Sequence, residues 1–238
     1  MTRHSGTLLS KYYKRLADYD LFKDIAPSNL EAVLNCVKAR ITTYPKNTFL
    51  VLEKDDISIA GLILEGNVAM LKEDDQGHQS MITYMREGEL FGEVFSLARD
   101  HTSIVSYRTM TRCTVMYLSV SKVLNTCQND CRFHRQLIIN LFDCMAKKNT
   151  RLMSKIDAIS RNTIRDRILV YLRSELESFN QIKGTPDNRQ IHIPINKTEL
   201  AQFLCVHRSS LVKELSLMKK EGLIEEERHV FTLNGDIS

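Results

Sequence analysis

Short, mostly apolar runs separated by turn residues fill the chain from about Ala39 to Ser119. Runs of four or five residues suit β-strands better than helices, which need longer amphipathic stretches. This region is therefore predicted to be a series of short strands. The candidate strands are Phe49–Leu52, Gly61–Leu64, Val68–Leu71, Met81–Tyr84 and Thr114–Leu118.

Two turn sequences, Glu65-Gly66-Asn67 and Asp74-Asp75-Gln76-Gly77, lie between these candidate strands. Each contains a glycine, which adopts the positive φ that a tight hairpin requires. Many short strands joined by hairpins predict an antiparallel sandwich, jelly roll or barrel. The preceding stretch, Tyr12 to Cys36, has a helical pattern and is expected to pack against one end of the sheets.

After Cys127 the apolar period lengthens to about 3.6 residues, and no Pro or Gly interrupts the chain from about Asp130 to Asp157. This pattern predicts one long helix. Apolar positions three or four residues apart are typical of a helix that packs along a partner helix, which favours a homodimer. The alternative is a helix lying on the sheet of its own domain. The predicted seam is Ile138, Leu141, Met145, Asn149, Leu152, Ile156 and Ile159.

A second helical region begins near Ser160-Arg161-Asn162-Thr163, and residues from about 161 onward are predicted to form a separate small domain. Within it, Asn196-Lys197-Thr198-Glu199 has the form of a capping box, so a helix is expected to start there. Apolar residues mark one buried face of this helix and, after an interruption at Cys205-Val206-His207, of a second one. Two short helices with such a break predict a helix-turn-helix.

The second of these helices carries polar residues away from its apolar stripe, and these are able to reach a DNA groove. Leu223-Ile224-Glu225 and Val230 to Leu233 resemble a wing hairpin, and Ile191-His192-Ile193 is a candidate third strand. The alternative is a small helical bundle whose charges are simply solvated. The residues off the apolar stripe are Arg208, Ser209, Val212, Lys213, Ser216 and Lys220.

The charge distribution supports an anionic partner for the last third of the chain. The net charge of the whole chain is only +4, but residues 151–220 contain 13 Lys or Arg and 7 Asp or Glu, whereas the remainder is net −2. No run of about 18 apolar residues is present, and no secretory signal precedes Lys14, so the chain is expected to be cytoplasmic and to have no membrane partner. The six cysteines are scattered, and free thiols are expected.

These motifs resemble the Crp/Fnr family of bacterial transcription regulators. Leu62–Val68 followed by Gly88–Glu93 is similar to the cyclic-nucleotide-binding roll of that family. Thr198–Ala201, Arg208–Leu215 and Glu221–Ile224 are similar to its winged helix-turn-helix. The resemblance implies an α+β fold with an N-terminal antiparallel β-roll of jelly-roll type, a long dimerisation helix and a C-terminal winged helix-turn-helix. The corresponding domains are residues 1–128, 129–160 and 161–238.

The resemblance also implies a homodimer that binds a palindromic site on double-stranded DNA, with half-sites roughly 34–36 Å apart. Arg208, Ser209 and Lys213 fall where the family reads bases, and Thr198 and Ser210 where it contacts phosphates. RNA polymerase is an expected further partner. Two departures from the family pattern are Ser209, where cyclic-AMP-responsive members have Glu, and Cys205, where a Gly is common.

The predicted effector pocket argues against cyclic nucleotide as the ligand. Gly92 and Glu93 match the ribose-binding pair, but the phosphate-binding Arg-Ser positions fall on Ser103 and Ile104, so the cation is missing. Arg99 or Arg108 could replace it only after a loop rearrangement. The purine-contacting helix positions fall on Leu152 and Met153 rather than on hydroxyl residues.

No cofactor is predicted, and an unknown small-molecule effector is left open. No cysteine precedes Cys36, which argues against an N-terminal iron–sulfur cluster. Cys127, Cys131 and His134, with Cys144 beyond, could bind a metal or form a thiol switch, although buried inert cysteine is commoner. His78 and His101 leave a haem ligand open. A haem-, metal- or thiol-based sensor of the same fold is therefore the first alternative function.

A ligand-binding interaction module without specific DNA recognition is the second alternative function. An enzyme is not expected, because no catalytic triad, phosphate loop or metalloprotease motif is present in the sequence.

Overall fold

The computed structural model of the protein describes residues 11–77, 79–125, 132–185 and 188–234. The chain divides into two compact units, Met1–Lys148 and Asn149–Ser238. The division falls inside the long helix. The predicted functional boundaries at residues 128 and 160 remain predictions.

The first unit is built on two four-stranded antiparallel sheets, which confirms the predicted β-roll. One sheet has the order β1-β8-β3-β6 and the other β2-β7-β4-β5. Each predicted strand forms, and β1, β6 and β7 add to them. The strands are β1 (Arg40–Tyr44), β2 (Phe49–Val51), β3 (Ile59–Glu65), β4 (Val68–Glu73), β5 (Gln79–Met85), β6 (Leu90–Phe91), β7 (Ser106–Thr109) and β8 (Cys113–Ser119).

The two predicted turns play different roles. The turn that ends at Gly77 joins β4 to its neighbour β5 and is a hairpin, as predicted. The turn at Gly66 is not a hairpin, because β3 and β4 belong to different sheets. Gly66 has a φ of +90°, and a Cβ there would lie 2.4 Å from the carbonyl oxygen of Arg112. The glycine is therefore needed for a corner between the sheets.

Helical segments close one side of the roll and share its core. A helical segment covers residues 11–16 and a 3₁₀ turn covers Asp20–Phe22. These are followed by α1 (Pro27–Cys36), α2 (Glu93–Leu97) and α3 (Val120–Leu124). Leu30 and Val33 of α1 pack in the same core as Leu62 of β3, so the predicted helical region is confirmed.

The long helix α4 (Arg132–Ile159) presents two different faces, and the predicted seam combined parts of both. Leu141 is buried in the core of the roll, with Ile138 and Met145 packed against it. For these three residues the alternative of a helix on its own sheet is the correct one. A second row, offset from the first by one residue in its N-terminal half, is exposed. We call this row the exposed seam; it consists of Ile139, Phe142, Ala146, Asn149, Met153 and Ile156.

The second unit continues from α4 into a helical domain with a small sheet. Its helices are α5 (Ile164–Lys183), α6 (Lys197–Phe203) and α7 (Arg208–Lys220). Strands β9 (Gln190–His192), β10 (Ile224–Glu227) and β11 (Val230–Leu233) form an antiparallel sheet in the order β10-β11-β9. The predicted winged helix-turn-helix, including its third strand, is confirmed. No helix in the described ranges is long and apolar enough to span a membrane.

Candidate nucleic-acid interface and effector pocket

Helix α7 separates an apolar face from a polar face. Leu211, Leu215 and Met218 are buried against the rest of the unit. At 100° per residue, the exposed polar residues of the other side, together with Val212, fall within an arc of about 140°. That is wide enough to line one groove of DNA and narrow enough to exclude the buried stripe. These residues are Arg208, Ser209, Val212, Lys213, Ser216, Lys219 and Lys220.

Most neighbouring charges in this unit are neutralised by the protein itself. Arg165 donates to Glu214 at 2.6 Å and holds both carboxylate oxygens of Glu221 at 2.7 and 3.0 Å. Lys197 and Lys219 both pair with Glu226. Within the part of the chain that the structure describes, the cations of Arg208, Lys213 and Lys220 make no such ion pair. Of the two helices of the motif, α7 is therefore the one that carries positive charge unpaired within the described residues and available to a ligand.

The two helices of the motif begin in different ways. The Asn196 side chain accepts from the backbone N–H groups of Thr198 and Glu199, and Glu199 accepts from the N–H of Asn196. This confirms the predicted capping box. The Thr198 hydroxyl is exposed at that end of α6. Helix α7 starts after His207 with no side-chain cap, so its first-turn N–H groups are suited to a phosphate oxygen.

The turn between α6 and α7 is held by a residue that the sequence reasoning missed. Cys205 has a φ of +54°, in the left-handed region, which explains why glycine would be favoured there. One guanidinium nitrogen of Arg167 donates to the carbonyl oxygens of Leu204 and Cys205, both at 3.2 Å, while its Nε donates to the carbonyl of Arg161. Only the basic character of the segment pointed to Arg167.

The predicted site residues of the second unit are thus placed on one motif. Thr198 is exposed at the start of α6, whereas Arg208, Ser209 and Ser210 form the first turn of α7, with Lys213 one turn later. Ser210 is half-buried and the other four are exposed. The motif presents cations and hydroxyls together, which are the donors that nucleic-acid phosphates and base edges accept.

In the first unit, the carboxylate of Glu93 forms an ion pair with a lysine of the same unit. Glu93 follows Gly92, which has a φ of +77°, and is only 1% exposed. Lys148 Nζ lies 2.5 Å from Glu93 Oε1 and donates to the carbonyl oxygen of Leu90 at 2.6 Å. The second carboxylate oxygen, Oε2, is buried without a hydrogen-bond partner among the described residues. A buried carboxylate with this neighbour needs no ligand to balance its charge.

The predicted phosphate-binding positions carry no cation into the roll. Ser103 is buried, and its hydroxyl donates to the carbonyl of Val105 at 2.7 Å. Ile104 is 64% exposed. Arg108 alternates with the buried Tyr107 along β7 and lies over the ring of Phe49, on the outer side of its sheet. The second candidate cation, Arg99, is exposed on the surface of this unit.

The remaining pocket candidates lie on the long helix. Leu152 is half-buried and Met153 is 63% exposed, and both belong to the second unit. Neither side chain has a hydroxyl or amide group that could hydrogen-bond a purine.

The cysteine and histidine candidates do not form a metal centre in the described residues. Cys36 Sγ lies 3.4 Å from Nε2 of the buried His134. Burial raises the pKa of the Cys144 thiol to about 12, which disfavours the reactive thiolate. No group of three or more metal-ligating side chains occurs within the described ranges. Cys127, Cys131 and His78 lie outside the described residues, and His101 is exposed.

Comparisons with known proteins decide between the function classes. Residues 41–130 match the cyclic nucleotide-binding domain, and residues 167–235 match the Crp-like helix-turn-helix domain. The chain is 22% identical over 187 residues to the cAMP-activated global transcriptional regulator CRP of Salmonella typhimurium, covering 77% of this chain and 84% of the relative. The chain belongs to the Crp/Fnr family. It is a DNA-binding transcription regulator of this type and not an enzyme.

Solved Crp/Fnr structures share the fold. A mutant of CooA from Carboxydothermus hydrogenoformans aligns with a TM-score of 0.66 at 17% identity, over 87% of this chain and 92% of CooA. The c-di-GMP responsive regulator CLP of Xanthomonas campestris aligns with a TM-score of 0.64 at 18% identity, over 89% of this chain and 100% of CLP. The family resemblance and the α+β fold predicted from the sequence are both confirmed.

Proposed function

We propose that this Crp/Fnr protein acts as a homodimer that binds a palindromic DNA site in a sequence-specific manner. The observation that carries the proposal is the exposed arc of α7, on which Arg208 and Lys213 have no acidic partner within the described residues. Lys197 and Lys219, in the same motif, pair with Glu226, whereas these side chains are left for an external anion.

The residues of the motif divide between base recognition and phosphate contacts. Arg208, Ser209 and Lys213 read base edges in the major groove, because guanidinium and ammonium groups donate to guanine O6 and N7. Thr198 and Ser210 contact phosphates and set the register on the duplex. Because Ser209 replaces the glutamate of cyclic-AMP-responsive members, the preferred operator differs from theirs.

The exposed seam of α4 supports the homodimer. Its residues recur at spacings of 3, 4, 3, 4 and 3, the pattern of a helix that packs along another helix. Phe142 is 61% exposed and Met153 63% exposed in the single chain, which is costly for side chains of this size. A second copy of α4 covers them, and the two copies place two recognition helices on successive half-sites.

Cyclic AMP is not the effector in this proposal, although the Salmonella relative is named as cAMP-activated. The roll offers no cation at Ser103 or Ile104 for the cyclic phosphate, and Lys148 already pairs with the carboxylate that a ribose would use. A buried phosphate without a cation is unfavourable.

The chain has three functional parts in this proposal: residues 1–128 as the effector-type roll, residues 129–160 as the dimerisation helix and hinge, and residues 161–238 as the DNA-binding domain. An unidentified effector acts by shifting the pairing of the long helices and so the separation of the recognition helices. RNA polymerase is the proposed partner when the protein activates transcription.

The test is selection of binding sites from a random DNA library with the full-length protein. We expect a palindromic consensus with half-sites about one helical turn apart. Sedimentation equilibrium should give a dimer, and fluorescence anisotropy should show much weaker binding to an isolated half-site. Recovery of no consensus, or equal affinity for half-site and palindrome, would contradict the proposal.

A further inference from the structure

The order of side chains along the exposed seam of α4 is almost symmetric about its midpoint. If two copies pair antiparallel about the midpoint between Ala146 and Asn149, Ile139 of one faces Ile156 of the other, and Phe142 faces Met153. If they pair parallel, each seam residue faces its own counterpart. Both arrangements bury the same apolar side chains, so apolar contact alone does not determine the direction of the second helix.

The charges along the rim of the seam do not determine the direction either. Asp143 pairs with Lys147 of the same helix at 2.8 Å, and Asp157 pairs with Arg161 one turn later in the chain. These i,i+4 pairs satisfy the rim carboxylates within each copy. The opposite rim is formed by the half-buried apolar residues Ile138, Met145 and Leu152. Neither rim provides an interhelical ion pair that favours one orientation.

Asn149 is the seam residue that distinguishes the two arrangements. Its amide is exposed, and no group among the described residues pairs with it. In a parallel pair the amide meets its own copy, and each carbonyl oxygen can accept from the NH₂ group of the other. In the antiparallel pair it meets Ala146, which has no polar side-chain group, and the buried amide loses its hydrogen bonds with water without replacement.

We infer that Asn149 determines the parallel orientation of the two long helices. This inference rests on the proposed homodimer and identifies the residue that makes it competent for DNA. Parallel pairing puts the two C-terminal helix ends together, so the DNA-binding motifs that follow them lie side by side. Antiparallel pairing puts the motifs at opposite ends of the helix pair. A single polar residue in an apolar helix interface is a known means of specifying one arrangement at some cost in stability.

The experiment maps helix direction by cross-linking in the full-length protein. The photoreactive residue p-benzoylphenylalanine replaces Asp157, on the rim of the seam, and copies labelled with ¹⁴N and ¹⁵N are mixed so that mass spectrometry identifies cross-links between copies. A parallel dimer gives cross-links to residues 152–160 of the second copy. An antiparallel dimer gives cross-links to residues 138–142.

Two substitutions on this background test the role of the amide. With Asn149, we expect cross-links only at residues 152–160. Asn149→Leu should tighten the dimer by on the order of tenfold, because the buried amide is removed, and should add cross-links at residues 138–142. Ala146→Leu is the matched control: it adds apolar bulk at the neighbouring seam position but keeps the amide, and should preserve the parallel cross-links.

The outcomes separate this inference from the proposed function. If Asn149→Leu remains a dimer with cross-links confined to residues 152–160, the role of Asn149 is wrong and the homodimer stands. If the unsubstituted protein sediments as a monomer, or its cross-links fall outside α4, the homodimer itself is wrong. Cross-links at residues 138–142 in the unsubstituted protein would show an antiparallel homodimer. They would overturn the inference for Asn149 and the placement of the two recognition helices on successive half-sites.

Discussion

The two units of the protein differ in where their polar groups find partners. In the roll, the carboxylate of Glu93 and the hydroxyl of Ser103 are buried and bonded to groups of the same unit. In the DNA-binding unit, two lysines of the helix-turn-helix motif pair with Glu226, but Arg208 and Lys213 of α7 are left exposed. A matched family domain therefore does not by itself identify a ligand. The polar groups that have no partner within the protein indicate what it can bind.

The largest effect on stability is expected from breaking the ion pair between Glu93 and Lys148 in the roll. Lys148→Met leaves the carboxylate of Glu93 buried without its cation, which should lower the free energy of unfolding by about 3–5 kcal/mol. Urea unfolding followed by circular dichroism measures it. The double variant with Glu93→Gln should recover most of the loss, because the charge and its partner are removed together. A single variant as stable as the unsubstituted protein would show that the pair does not stabilise the roll.

The next largest effect is expected on DNA affinity, from replacing a cation of α7 that has no ion pair within the described ranges. Arg208→Ala should weaken binding to the preferred operator by about 1–3 kcal/mol and relax the preference at one base position. Lys219→Ala is the matched control on the same helix, because Lys219 Nζ is held 2.9 Å from Glu226 Oε2. Its effect should stay within about 0.5 kcal/mol. Fluorescence anisotropy on the operator and on its single-base variants measures both, and unchanged affinity and specificity in Arg208→Ala would refute the assignment.

A smaller effect is expected at the turn of the motif. Cys205→Gly removes the strain of a positive φ in a residue that has a Cβ, but it also increases the conformational entropy of the unfolded chain. The net effect should raise the free energy of unfolding by up to about 1 kcal/mol. Gln202→Gly, inside α6, is the control and should lower stability by about 1 kcal/mol. Thermal unfolding compares the two. Destabilisation by Cys205→Gly would indicate that contacts of the thiol stabilise the fold by more than the backbone strain destabilises it.

No effect is expected from cyclic AMP. Because the roll lacks a cation for the phosphate and Glu93 is paired with Lys148, millimolar cyclic AMP should change operator affinity by less than about twofold. Anisotropy titrations with and without the nucleotide measure this, and isothermal calorimetry checks for direct binding. A saturable binding heat would show that the roll rearranges around the ligand.

The features that depend on neighbours in sequence were predictable. The capping box at Asn196 and the buried stripe of α7 each follow from spacings of three or four residues, and both form as predicted. Strands β1, β6 and β7 were not predicted. Strands β6 and β7 are only 2 and 4 residues long, and β1, with the sequence Arg-Ile-Thr-Thr-Tyr, contains no run of apolar residues. The corner at Gly66 has the same local sequence as a hairpin, and only the sheet order distinguishes them.

Features that depend on distant contacts were not predictable from one sequence. The pair between Glu93 and Lys148 joins residues 55 positions apart. On α4, two apolar rows lie side by side, and nothing local indicates that Leu141 faces the roll while Phe142 faces outward. A spacing rule identifies that a stripe exists, but which stripe is covered depends on the rest of the fold. The roles of the site residues on α7 remain predictions for the binding experiments.

The three hydrogen bonds of Arg167 have a thermodynamic consequence for DNA binding. Because two of them, to the carbonyl oxygens of Leu204 and Cys205, hold the turn before α7 in place, the free protein already has the conformation in which the recognition helix is presented. Little conformational entropy is then lost when DNA binds, so more of the interaction free energy appears as affinity. Binding calorimetry would register the loss of this preorganisation in an Arg167→Met protein as a less favourable entropy, even if every contact with DNA were kept.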